Sequence, residues 1–210
     1  MFTGIPLAAL DFYEDLEADN SKTWWLAHKD VYDTAIKAPI TELMAELEPD
    51  FGPAKVFRPY RDVRFSKDKT PYKTAQGAFV GSAPGLGYYV QIDASGLYLG
   101  GGYHHSATEQ VTRYRAAVDD AERGAELEEI LGKLTKAKFT VGGEQLKKPP
   151  RGYAPDHPRV ELLKHKSLTV GKAIGAPKWL ETPRTAKEVK SAWLAIRPLV
   201  DWLDGVVNAP

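Results

Sequence analysis

Seven cations crowd into KVFRPYRDVRFSKDKTPYK, residues 55–73: Lys55, Arg58, Arg61, Arg64, Lys67, Lys69 and Lys73. Only Asp62 and Asp68 oppose them, a local charge of +5 in a chain that is neutral overall. Arginine presents a planar fork that fits phosphate or carboxylate through two hydrogen bonds, and lysine adds a point charge. The chemistry these residue types support is oxyanion binding. Arg61, Arg64, Lys67, Lys69 and Lys73 are the expected cations. Asp62 is expected to hold an arginine in a fixed pose, and Ser66 to supply a hydroxyl donor. Phe57, Tyr60, Phe65 and Tyr72 are interleaved with the charges, and Tyr72 is expected in the wall of the site. The competing reading is an ion-pair web that pins a long loop to acidic helices, which demands the same residue types.

A second segment, residues 145–172, repeats the bias. Lys147, Lys148, Arg151, Arg159, Lys164, Lys166 and Lys172 stand against Asp156 and Glu161, again +5. Arg151 and Tyr153 join the expected ligand-binding set. Asp156-His157 is the candidate catalytic pair, because imidazole titrates near neutrality and a carboxylate can orient it. Asp156 ahead of His157-Pro158 reads equally as a helix N-cap. The two basic segments are expected to converge at one sheet edge, with Tyr60, Tyr72, Tyr153 and Trp25 in the walls.

Other constellations carry less. His104-His105 with Glu109 invites a metal reading, but no HExxH or HxH spacing accompanies it, and no metal site is assigned. Gly100-Gly101-Gly102 is followed by no phosphate-loop signature and predicts a bulge or a close backbone approach. Trp24 and Trp25 point about 100° apart on a helix, so one is expected in the core. His28 on the same helix reads as a packed, hydrogen-bonded histidine. His165 lies between Lys164 and Lys166, whose charge disfavours its protonation. No GxSxG elbow is present.

The elements that must position these residues change period along the chain. Residues 6–18 read as a helix, and a second runs from a cap at Asn20 or Ser21 to about residue 49, kinked or restarted at Pro39. Residues 56–65 read as a strand entering a loop. Residues 77–82, 87–93 and 96–103 read as a meander of strands joined by Ala83-Pro84-Gly85 and Ala94-Ser95-Gly96. Helices follow at about 107–121 and 125–136, then short strands near 138–143 and 165–174 flanking a short helix from Pro158. A last helix spans roughly 185–206, with Val189, Trp193, Ile196, Leu199, Val200 and Leu203 inward. The expected fold is α+β: one domain over 1–210, a mostly antiparallel sheet over about 55–103 plus short later strands, packed by N- and C-terminal helices.

The chain is long enough to bury a full core. Cysteine is absent, which removes disulfides, thiolate nucleophiles and cysteine metal sites and fits a reducing cytoplasm. No apolar run approaches the roughly 20 residues of a membrane helix, and the acidic N-terminus does not read as a secretion signal. Neutral net charge argues against coating nucleic acid by bulk charge but leaves room for a local basic cleft.

Taken together, FTGIPLAALDFYEDLEADNSKTWWLAHKDVYD, YRDVRFSKDKTPYKT and LKKPPRGYAPDHPRVELLKHKS make the chain resemble the conserved hypothetical proteins catalogued as domain of unknown function 2461. The resemblance runs from Phe2 to about Trp202 and implies a single-domain member. It implies no reaction, cofactor or catalytic residue. Three functions are weighed. The leading one binds, and as an enzyme processes, a phosphorylated or otherwise anionic small molecule in a basic, aromatic-lined cleft. The second is nucleic-acid binding through the same loops, and the third a non-catalytic interaction module built on a structural ion-pair network.

Overall fold

A computed structural model describes residues 1–64, 67–104 and 107–208. The helices are α1 (Ala8–Ala18), α2 (Lys22–Val31), α3 (Ala38–Phe51), α4 (Thr108–Asp119), α5 (Ala121–Lys136), α6 (Val160–Leu163) and α7 (Arg184–Val207). The strands are β1 (Ala54–Val56), β2 (Ala75–Ala83), β3 (Leu86–Asp93), β4 (Gly96–Tyr103), β5 (Thr140–Gly142) and β6 (Leu168–Gly175). They form one antiparallel sheet in the order β1-β2-β3-β4-β6-β5, and the fold is α+β. Contacts group the chain into two compact units. One holds Met1–Val80, Tyr89–Leu99 and Ala173–Ser191, and the other holds Gly81–Tyr88, the described part of Gly100–Lys172, and the chain from Ala192.

In the first unit, Ser21 caps α2, its Oγ accepting the Trp24 N–H at 3.1 Å. Pro39 does not break the helix that follows. Proline lacks an N–H and crowds the carbonyl four residues back. The chain meets this with a π-helical turn, Tyr32–Lys37, in which the Ala38 N–H reaches back five residues to the Asp33 carbonyl. That turn aims Tyr32 inward, where its Oη donates to Gln76 Oε1 at 2.7 Å. Burial pushes the Tyr32 phenol up to about 12. Phe12, Leu16, Trp25, Ile36, Ile40 and Leu43 are all buried in this unit. β1 pairs with β2 in the register Lys55↔Phe79.

The strand expected over 56–65 ends at Val56. Pro59 and Pro71 offer only carbonyls, so the chain closes on itself instead. The Arg61 N–H donates to Pro71 O at 2.9 Å and the Lys73 N–H to Pro59 O at 2.7 Å, around an isolated antiparallel bridge between Tyr60 and Tyr72.

In the second unit, Asp120 caps α5 by accepting from the N–H groups of Glu122 (3.1 Å) and Arg123 (2.8 Å). β5 pairs with β6 through Val141↔Val170. Tyr88 lies on Trp193 with ring centroids 5.4 Å apart. Gly102 adopts φ +124°, and a Cβ there would meet Leu168 O at 2.4 Å, so β4 passes against β6 with no room for a side chain. The close approach anticipated for the glycine run is therefore real, with Gly102 the position that requires it.

Candidate functional site

The loop between Arg58 and Lys73 is anchored by an aromatic stack and one asparagine. Trp25 is buried and lies face to face on Tyr72, centroids 4.1 Å apart at 7°. Exposed Tyr60 flanks both rings, 6.3 Å from Trp25 and 5.6 Å from Tyr72. The Tyr60–Tyr72 bridge turns the backbone N–H and C=O of Tyr72 outward. Asn20 takes both, its Oδ1 accepting from Tyr72 N at 3.0 Å and its Nδ2 donating to Tyr72 O at 3.1 Å. Asn20 thus behaves as a short surrogate strand, a role its sequence position beside the Ser21 cap does not signal.

The loop's ion pairs are internal rather than directed at the acidic helices. Arg61 pairs with Asp68. Asp68 also accepts the Thr70 N–H at 2.9 Å and the Thr70 hydroxyl at 2.7 Å, and these bonds, with Arg61, lower its carboxyl below the usual range. Asp62 holds Arg64 in the expected manner, through Nε at 2.9 Å and Nη2 at 2.6 Å, leaving the Arg64 side chain 76% exposed. Lys69 Nζ donates to Val63 O at 2.9 Å. Lys67 and Arg58 are exposed and have no side-chain partner among the described residues. Ser66, with Phe65 beside it, lies outside the described residues.

Lys73 differs from its neighbours. Its Nζ donates to Arg58 O at 3.0 Å and stands 5.5 Å from the Phe57 ring centroid, with no carboxylate partner among the described residues. Partial burial, and then the charge of Arg58, lower its ammonium below the usual lysine value. Two cations share one end of the loop without neutralisation, a geometry suited to an incoming anion.

The second basic segment is placed differently. The 55–73 segment continues from edge strand β1. Residues 145–172 run from next to edge strand β5 into β6. The first segment lies in the first compact unit and the second in the other. His157 has both ring nitrogens engaged: Nδ1 accepts the Arg159 N–H at 3.0 Å, so Nε2 carries the proton and donates to Asp119 Oδ1 at 3.0 Å. Tyr153 packs edge-on to His157 at 6.3 Å. The cap expected from Asp156 is not formed: Arg159 holds the N-cap position of α6 without a side-chain cap, and the His157 imidazole accepts the Arg159 N–H instead. Asp156 and Arg151 are exposed, without a side-chain partner among the described residues.

Arg159 closes this corner. Its Nε donates to Glu128 at 2.8 Å, and its terminal nitrogens donate to the carbonyls of Val118 (3.3 Å), Asp120 (3.1 Å) and Ala121 (3.2 Å). Gly124 leaves room for the guanidinium, since a Cβ there would stand 2.5 Å from Nη1. The Val118 carbonyl, in the last turn of α4, is an orphaned acceptor that Arg159 satisfies, whereas the Asp120 carbonyl also accepts the Gly124 N–H at 2.9 Å. No spacing in the sequence pairs Asp119 with His157 or Arg159 with the α4–α5 junction. The GYAPDHPRVELL stretch is therefore built chiefly to hold itself on α4 and α5, helped by the Tyr114 hydroxyl to Leu162 O and Arg115 Nε to Leu163 O, both 3.0 Å.

His165 is 3% exposed. Its Nδ1–H donates to Ser167 O at 2.9 Å, so Nε2 is bare and accepts from the Gln145 amide at 2.5 Å. Burial lowers its pKa, against the Ser167 carbonyl and Glu161, which raise it; the flanking lysines pair with Glu161 and Glu144 at 2.5 Å each. The unfolded chain then binds a proton near pH 6.5 that the folded chain refuses. Stability is fully present above that pH and falls as pH drops below it. Urea midpoints between pH 8 and pH 5 should fall in the wild type and fall less in His165→Gln. An equal decline in both would remove His165 as the cause.

His28 is the packed histidine expected, its Nδ1 bonded to Trp24 O at 2.8 Å and its ring stacked on Trp24. His105 lies outside the described residues, and among those described no three histidine or carboxylate side chains gather as a metal set. No described helix is long and apolar enough to cross a membrane. A family model with the description conserved hypothetical protein (DUF2461) matches residues 8–202. No curated protein matches the chain.

Proposed function

The chain belongs to the DUF2461 family of conserved hypothetical proteins, a membership that carries no reaction, and we propose that its 58–73 loop binds a phosphorylated or otherwise anionic small molecule. The observation that carries this reading is the pair Arg58 and Lys73, two cations at one end of the loop, with Lys73 partly buried and facing no carboxylate among the described residues. Arg64, braced by Asp62 and 76% exposed, is the second point of purchase, and Lys67 adds charge. The reading is of binding. His157, with both nitrogens engaged in the other unit, is given no catalytic part in it. The absence of cysteine suits the reducing cytoplasm in which we place the protein.

A second reading is a non-catalytic interaction module, favoured by the Arg61–Asp68 and Arg64–Asp62 pairs that already neutralise two of the loop's arginines. A thermal-shift screen with phosphate, sulfate, sugar phosphates and short oligonucleotides, at low and moderate salt, separates the two. An anion at 100 times its dissociation constant stabilises by about 2.7 kcal/mol. Anion binding predicts a shift that vanishes in Arg58→Ala. No shift with any anion, in a sample that melts cooperatively, would favour the interaction module.

A further inference from the structure

The sheet surface next to this loop has its own order. Along β3, Tyr89, Gln91 and Asp93 are partly exposed while Val90 and Ile92 between them are buried. On β4, exposed Tyr98 lies between buried Leu97 and Leu99. Alternation therefore puts Tyr89, Gln91, Asp93 and Tyr98 on the side away from the apolar core. Phe57 joins them. A Cβ at Gly77 would stand 2.6 Å from the Tyr89 hydroxyl and 3.1 Å from the Phe57 ring, so both rings lie across that glycine. Ring centroids run Phe57 to Tyr89 at 6.3 Å and Tyr89 to Tyr98 at 6.4 Å.

This shelf is polar at both ends, with opposite sign. Lys73 stands over Phe57, and Arg58 is beside it. At the far end, the Tyr89 hydroxyl donates to Gln91 Oε1 at 2.6 Å, and Gln91 Nε2 donates to Asp93 at 2.7 Å. Aromatic pairs across neighbouring strands steady a sheet by themselves, but they do not require a cation pair at one end and a carboxylate at the other. A ligand with a phosphate, a flat ring and hydrogen-bonding edge groups matches that order.

We infer that the anion bound at Arg58 and Lys73 is the phosphate of a single nucleotide, whose base lies on the exposed Tyr98 ring against Tyr89, which stands at 62° to it, and whose amino or hydroxyl groups face Asp93. The inference rests on the anion site proposed above and names its ligand class. Asp93 sets the size. A longer strand would carry its next phosphate toward that carboxylate, where like charge opposes it. Aromatic side chains hold bases by stacking without demanding one sequence.

Calorimetric titration of the full chain tests this, using AMP, GMP, CMP and UMP, their nucleosides, inorganic phosphate and an octanucleotide. At least one mononucleotide should bind ten or more times tighter than phosphate and than its own nucleoside. Tyr98→Ala should weaken that nucleotide about tenfold, leave phosphate affinity unchanged and melt as the wild type does, with Tyr98→Phe restoring binding. Nucleotides binding no tighter than phosphate, or indifferent to Tyr98→Ala, would overturn the shelf while leaving the anion site standing. An octanucleotide more than tenfold tighter than any mononucleotide would overturn the single-nucleotide reading. Failure of phosphate and every nucleotide to bind would overturn both.

Discussion

Trp25→Ala is expected to cost about 3–5 kcal/mol of stability, the range for removing a large aromatic from a packed core. Trp25 is 2% exposed and is shared between the helix core and the basic loop, touching Phe12 and Tyr32 on one side and Tyr72 and Tyr60 on the other. Truncation should also release the loop, because the Tyr72 ring then loses the surface it lies on. Trp25→Phe should do far less harm. The Trp25 indole N–H is buried without a hydrogen-bond partner among the described residues. Such an orphan costs about 1–3 kcal/mol, and phenylalanine removes it while keeping most of the ring. Chemical denaturation of the three proteins checks this. If Trp25→Ala unfolded within about 1 kcal/mol of the wild type, the stack would not be the loop's anchor.

Gly102→Ala is the second large effect. A side chain at φ +124° is strained, and its Cβ would stand 2.4 Å from the Leu168 carbonyl and 2.8 Å from Thr169 Cα. Backbone strain of about 1–3 kcal/mol and overpacking of similar size combine, with backbone rather than a flexible side chain in the way. At about 2–4 °C per kcal/mol for a chain of this length, the melting temperature should fall by roughly 10 °C. Gly101→Ala is the internal control. Its conformation is ordinary for an alanine, and its Cβ would meet Ile196 Cγ2 at 2.8 Å and the Gly87 carbonyl at 3.0 Å, so it should lose less than Gly102→Ala, which adds backbone strain. Equal losses in the two variants would contradict the assignment of the tight passage to Gly102.

What was legible in the sequence was whatever local periodicity and turn chemistry determine. The strand alternation in GYYVQID, the turns at Ala83-Pro84-Gly85 and Ala94-Ser95-Gly96, and the apolar face of α7 through Trp193 and Ile196 all return in the structure. Asp62 as the brace of Arg64 was legible too, because only Val63 separates the carboxylate from the arginine it binds. That Pro39 disturbs a helix could be seen, but not its absorption in a π turn whose Tyr32 reaches Gln76, 44 residues on.

The remainder depends on pairings distant in sequence. Asn20 and Tyr72 are 52 residues apart, and His157 and Asp119 are 38 apart. Charge excess alone made the two basic segments look like halves of one site. The first belongs to one compact unit and the second to the other. The aromatic shelf was hidden for the same reason: Phe57, Tyr89 and Tyr98 become neighbours only when three strands are aligned.

The central claim is that unopposed charge at Arg58 and Lys73 receives an anion. Titration of inorganic phosphate into the wild type and Arg58→Ala at low ionic strength, followed by calorimetry, tests it most directly. One saturable site in the wild type, weakened at higher salt and lost in Arg58→Ala, is the predicted result. Phosphate heats that are identical in the two proteins would contradict the claim and return the loop to a structural role.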